Sequence, residues 1–116
     1  MKFFHKDSFD VKTKGFNDII DVTGEVISIL KKSQINNGVL NVFVVGSTVG
    51  VTTIEYEEGA LSDFKEAFDR VAPMDAFYAH NQRWGDGNGF SHIRAAILGP
   101  SLSVPFSKNL IELGTC

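Results

Sequence analysis

The sequence predicts an α+β fold in which two helices lie against a largely antiparallel β-sheet or sandwich, in a single domain over residues 1–116. Three observations carry this. Apolar residues recur at helical spacing from Phe16 to about Ile35, and again from Leu61 to Val71. Several β-branched runs follow one another with turns between them and no crossover helix. A doubly wound parallel sheet would need more helices than these.

Taken in order, residues 2–13 place Phe9, Val11 and Thr13 on one parity and Ser8, Asp10 and Lys12 on the other, which predicts a half-exposed strand. In the first helix Phe16, Ile19, Ile20, Val26, Ile27 and Leu30 form the apolar face, and Asn36-Asn37-Gly38 supplies the stop. Gly24 weakens it by ~1 kcal/mol relative to Ala. Val39 to Val45 is nearly continuous and β-branched, as in a strand covered on both faces at the middle of a sheet. After Gly46-Ser47-Thr48, the run Val49 to Tyr56 has strand chemistry. Leu61, Phe64, Phe68 and Val71 then step by three, four and three into a helix closed by Pro73, with Glu57 and Glu58 favouring its N-terminal dipole. Phe77–Tyr78 and Phe90–Leu98 read as strands flanking a glycine-rich loop, and Leu102–Val104 and Leu110–Leu113 as two more.

Composition narrows the function. The chain has 116 residues, 43% of them apolar and 22% charged, with a net charge of −3, which describes a globular protein without the basic excess that nucleic acid or an anionic membrane draws on. The single cysteine, Cys116, allows no internal disulfide, and neither an export signal nor a run of membrane-spanning length is visible. A cytoplasmic location is expected.

The densest polar cluster runs from Tyr78 to Arg94 and holds His80, Asn81, Arg83, Trp84, Asp86, Asn88 and His92 among Gly85, Gly87 and Gly89. The glycines either admit a ligand close to the backbone or simply build a hairpin with Asp86 and Asn88 as turn residues. His80 and His92, twelve residues apart on neighbouring strands, could converge on one metal ion or one proton transfer, or be unrelated. His5 reads as structural. The loop fits neither a calcium-binding hand, which would need oxygen ligands where Phe90 and Ile97 stand, nor a dinucleotide fingerprint, which a helix should follow. Gly46-Ser47-Thr48-Val49-Gly50 offers an anion cradle but lacks the lysine of a P-loop. Strand parity puts Thr53 and Glu55 on one face, making Glu55 the carboxylate expected to point inward, while Trp84 either stacks on a substrate ring or, more commonly for an indole, packs inside.

Several separate blocks, in order, resemble the YjbQ family, also known as uncharacterised protein family 0047 and as secondary thiamine-phosphate synthase. They are Gly46-Ser47-Thr48, Thr52-Thr53-Ile54-Glu55-Tyr56, Gly85-Asp86-Gly87-Asn88-Gly89, Ser91-His92-Ile93-Arg94-Ala95 and Leu98-Gly99-Pro100-Ser101-Leu102-Ser103-Val104-Pro105. The resemblance implies a homotrimer with a weak activity that joins a pyrimidine diphosphate to a thiazole phosphate with loss of diphosphate. It implies a site centred on His80 and His92, with Glu55 and Asp86 as further catalytic groups. Ser47, Thr48, Thr53, Arg83, Trp84, Gly87, Asn88 and Arg94 are then expected to hold the phosphorylated substrate. Departure of diphosphate calls for basic groups or a divalent cation, Mg or Zn, with His80 and His92 as its protein ligands. The alternative is a non-catalytic trimer that binds a metal or a phosphate-bearing metabolite. The family pattern continues beyond Leu-Gly-Thr into Trp-Gln and another strand, whereas this sequence reads Leu113-Gly114-Thr115-Cys116, so that strand is expected to be missing.

Overall fold

The fold is described from a computed structural model, for residues 2–114. Among these residues the elements are α1 (Thr23–Ser33), β1 (Gly38–Phe43), α2 (Glu58–Val71), α3 (Ala79–Trp84), α4 (Gly89–Leu98), β2 (Ser101–Ser107) and β3 (Leu110–Ile111). The class is α+β as expected, but with four helices and three strands in place of two helices and six or seven strands. The sheet order is β1-β2-β3, with β2 and β3 antiparallel in the register Phe106 to Ile111 and Ser107 to Leu110. No helix of the described residues is long and apolar enough to cross a membrane.

The chain divides into two compact units. The first comprises the chain up to Val42 together with the segment from Ser103 onward. Its α1 starts later than the apolar spacing suggests, because the Asp21 carboxylate accepts both the backbone N–H and the hydroxyl of Thr23, at 2.9 and 2.6 Å, and so fixes a turn before the helix. Upstream, Gly15 and Asn17 take left-handed backbone angles (φ 99° and 60°), which a helix starting at Phe16 would not allow. α1 ends at Gln34, itself left-handed, and not at Gly38. Asn109 makes this stop possible by donating from one amide nitrogen to the carbonyls of Leu30 (2.9 Å) and Ile35 (2.7 Å), so that backbone groups orphaned at the helix end are satisfied from the β2–β3 turn. That turn has both central residues, Lys108 and Asn109, at positive φ, the two-residue geometry whose twist matches the strands it joins.

β1 lies at an edge of the sheet and is mostly exposed, which corrects the expectation of a central, doubly covered strand. Gly38 has its place because a Cβ there would come within 3.1 Å of the buried Phe106 ring. Residues 2–13 form no strand, and Phe3 and Phe4 are exposed. His5 is not without polar company, since its Nδ1 lies 2.9 Å from Lys2 Nζ and its Nε2 lies 3.6 Å from Asp7. Thr115 and Cys116, with the question of the missing strand, fall outside the described residues.

The second unit runs from Phe43 to Leu102. Val49 to Tyr56, expected as a strand, has no ladder: it is half-buried over 49–51, where the Val51 N–H donates to the Gly99 carbonyl at 3.0 Å, and exposed from Thr52 onward. α2 matches its reading closely. Glu57, in extended conformation, caps it by accepting the N–H groups of Gly59 (2.6 Å) and Ala60 (2.9 Å), and Phe64 and Phe68 meet edge to face one turn apart. Phe90–Leu98, read as a strand, is the core of α4, and Phe77–Tyr78 only leads into α3. Phe90, Arg94 and Leu98 are spaced at i, i+4 and i+8, and Phe90, Arg94 and Ala95 are buried. Because the buried stripe carries an arginine at its centre, the apolar period is hidden in the sequence.

Candidate functional site

The glycine-rich cluster is the link between α3 and α4 and not a β-hairpin. Gly85, left-handed at φ 70°, ends α3 by donating its N–H to the Asn81 carbonyl at 2.9 Å, and Gly87 turns the chain at the same φ. Gly89 then opens α4 under close contact: a Cβ there would lie 2.6 Å from Tyr78 Cβ and 3.0 Å from Asn81 Oδ1. A helix therefore does follow the glycines, although their spacing still differs from a dinucleotide fingerprint.

This turn brings His80 of α3 and His92 of α4 together, with ring centroids 4.5 Å apart and planes inclined by 49°. The convergence foreseen for the two imidazoles is present, on helices where strands were expected. Each Nδ1 faces an oxygen. His92 Nδ1 lies 3.2 Å from the Ser47 carbonyl oxygen, which can only accept, so this nitrogen carries the proton and Nε2 keeps the lone pair. His80 Nδ1 lies 3.4 Å from Asp86 Oδ1, a charge contact too long and poorly aligned to count as a hydrogen bond, which leaves this buried nitrogen without a full partner. Asp86 is in turn held by Asn88, whose amide nitrogen, in the orientation that satisfies both groups, donates to the two carboxylate oxygens at 2.9 and 3.2 Å. The amide thus holds the carboxylate close to the imidazole, where its charge favours the protonated ring.

Other expected site residues stand elsewhere. Arg94 is only 9% exposed; its Nε donates to the Ala72 carbonyl at 2.9 Å and its Nη2 to Asp69 at 3.2 Å, and the guanidinium lies 5.1 Å from the Phe90 ring centroid and 5.8 Å from that of Phe68. Its guanidinium is engaged in packing within the second unit. Glu55, expected to point inward, is exposed, because a segment without a ladder has no sheet faces for parity to sort. Thr53 beside it and Thr48 are exposed too, and Ser47 contributes its carbonyl to His92 and not its hydroxyl. Trp84 is 65% exposed, with Arg83 stacked 5.5 Å from its ring, so the indole is not interior packing. Gly87 is exposed on the turn.

A metal fits here only in part. Among the described residues no three His, Cys, Asp or Glu side chains are grouped to hold an ion. Two neighbouring imidazoles would suit a cation that brings its remaining ligands with it, and not a closed structural site. Asn81 and the Ser47 carbonyl were not foreseen as parts of the site. A carbonyl gives no side-chain signal, and Asn81 reads in sequence as one more polar residue of a loop.

Comparison with known proteins agrees with this fold. The family model described as UPF0047 protein YjbQ-like matches residues 7–116. A UPF0047 protein of Methanothermobacter thermautotrophicus is 41% identical over 98 residues, covering 84% of this chain and 67% of that protein. The UPF0047 protein Rv2556c of Mycobacterium tuberculosis is 34% identical over 109 residues, covering 94% of this chain and 79% of that one. Among solved structures, a YbjQ-like protein of unknown function from Sulfolobus solfataricus superposes with a TM-score of 0.83 at 28% identity, over 90% of this chain and 75% of that chain. A YjbQ/UPF0047 family protein from Clostridium acetobutylicum gives a TM-score of 0.79 at 26% identity, over 90% and 79% of the two chains. With the family model spanning nearly all of its length and relatives above 30% identity, the chain belongs to the YjbQ/UPF0047 family.

Proposed function

We propose that this cytoplasmic protein is a small-molecule enzyme with His80 and His92 as its working pair, acting on phosphorylated precursors in the manner of a weak thiamine-phosphate synthase. The observation that carries this is the pairing itself: two rings 4.5 Å apart, with each Nδ1 near an oxygen of the protein. In the reaction, the ring nitrogen of the thiazole phosphate attacks the methylene carbon of the pyrimidine diphosphate. The C–N bond forms as the C–O bond breaks, and the electron pair leaves with diphosphate. An imidazole in its protonated form can give a proton to the departing oxygen, and the Asp86 carboxylate 3.4 Å from His80 Nδ1 favours that charged form of the ring. Arg83 on the exposed rim is the cation available to the phosphates, since Arg94 is committed to Ala72 and Asp69. A divalent cation, Mg or Zn, would be held by His80 and His92 and would supply charge stabilisation to the leaving group.

The test is release of diphosphate from the two precursors by the purified protein, compared with His80→Ala and His92→Ala. Loss of turnover in both variants supports the reading. Equal turnover in all three proteins, or none in wild type, defeats it.

A second reading, a non-catalytic homotrimer that binds a metal or a phosphate-bearing metabolite, is favoured by a different observation. Phe3, Phe4, Val45 and Phe77 are 82, 75, 87 and 76% exposed, large apolar side chains of the kind that subunit contacts cover. Sedimentation as a trimer, together with ligand binding but no turnover, would select it.

A further inference from the structure

We infer that Asn81 is the positioning residue of the His80/His92 pair, acting as a cap on α4 from a different helix. The inference deepens the acid–base reading, and rests on it for the pair being the working site. The first backbone N–H groups of a helix have no partner within it and are ordinarily satisfied by the side chain at its N-cap. The N-cap of α4 is Asn88, whose side chain makes no capping hydrogen bond, because its amide is committed to the Asp86 carboxylate. The vacant role falls to Asn81, whose Oδ1 accepts the N–H of Gly89, first residue of α4, at 2.9 Å in a half-buried setting. The main-chain carbonyl of the same residue accepts the Gly85 N–H and so ends α3.

One residue thus closes the helix that carries His80 and opens the helix that carries His92. Among the described residues no hydrogen bond joins the two rings, so their spacing is set by the backbones beneath them. Gly89 makes the clamp tight, since any larger residue would meet Tyr78 and Asn81. The two asparagines divide the work: Asn88 holds the carboxylate behind His80, and Asn81 fixes how far His92 stands from it. The acceptor oxygen is what matters at position 81. Aspartate supplies one with the same reach, and its charge suits a helix N-terminus.

The experiment is NMR on the full chain with labelled histidine, following the ring-to-ring cross-peak between His80 and His92 in wild type, Asn81→Ala and Asn81→Asp, with far-UV circular dichroism recorded alongside. Loss of the cross-peak in Asn81→Ala, its return in Asn81→Asp and helix content unchanged in both is the expected result. A cross-peak that persists in Asn81→Ala overturns the inference. Hydrogen exchange of the Gly89 amide in wild type decides independently of whether the variants fold: slow exchange supports the clamp, and exchange at the rate of an open amide refutes it. Neither readout involves substrate. Failure of turnover with an intact, Asn81-dependent cross-peak would reject the acid–base reading alone, and a cross-peak indifferent to Asn81 beside normal turnover would reject only the clamp.

Discussion

Replacing Arg94 by Met keeps the length of the side chain while removing its charge and donors, and it separates a packing arginine from a substrate-binding one. The Ala72 carbonyl belongs to a buried residue and would lose the Arg94 Nε, a stranding worth ~1–3 kcal/mol. The Asp69 pair adds at most ~1 kcal/mol, because the Asp69 side chain is 60% exposed and screened by solvent. The contacts over Phe68 and Phe90 add ~0.5–1 kcal/mol each. The methionine stem retains most of the apolar packing, so the net loss is about 2–6 kcal/mol, a large share of the ~5–15 kcal/mol by which domains of this size are stable. Urea titration followed by circular dichroism should show a much lower midpoint at unchanged slope, with Arg94→Lys falling between because an ammonium cannot reproduce the guanidinium's fork. Below the unfolding transition, the variant should bind inorganic diphosphate no more weakly than wild type. A midpoint shift under ~1 kcal/mol, or a folded variant that has lost diphosphate binding, would refute the reasoning.

Two further outcomes follow from local geometry. Gly50→Ala would put a Cβ 2.6 Å from Leu98 Cβ and 3.1 Å from the Gly99 carbonyl that receives the Val51 N–H, so denaturant unfolding should show a loss of about 1–3 kcal/mol; an unchanged midpoint would mean that this contact relaxes freely. The Glu57 carboxyl is held below its ordinary value of 4.5, first by the Gly59 N–H and then by that of Ala60. A depressed carboxylate stabilises the fold in full above that ordinary value and loses the contribution as pH falls through the lowered one. Amide protection at Gly59 and Ala60 should therefore fall with acid in wild type and lose that dependence in Glu57→Gln, and an identical acid profile in the two proteins would contradict the cap.

What the sequence made legible depends on whether the signal was local. α2 was readable because Leu61, Phe64, Phe68 and Val71 carry an uninterrupted helical step and Pro73 ends it. β2 and β3 were placed because their apolar runs are short and bounded by turn residues. α4 was missed because Arg94 interrupts the apolar stripe and its isoleucines suit a strand equally well, an ambiguity that short runs cannot escape. α3 was missed because its residues from Ala79 to Trp84 are mostly polar and its end is set by a left-handed glycine that also suits a hairpin. The His80/His92 pair was found by residue type, while Glu55 failed because alternation has meaning only where a ladder defines two faces. Asn81 and Asn109 act on backbone groups of other segments, and nothing in their immediate neighbours announces that.

The hydrogen bond from Gly89 to Asn81 also bears on how the protein comes to be folded. Among the described residues, apart from the Ser47 carbonyl, the polar groups that contact the two imidazoles or clamp the turn between their helices lie between Tyr78 and His92, within one short stretch of chain. Loop closure on that scale takes ~10–100 ns and carries little entropic cost. The spacing of the two rings is thus encoded mainly by contacts close in sequence, and a substitution within Tyr78 to His92 bears on it more directly than one in the sheet.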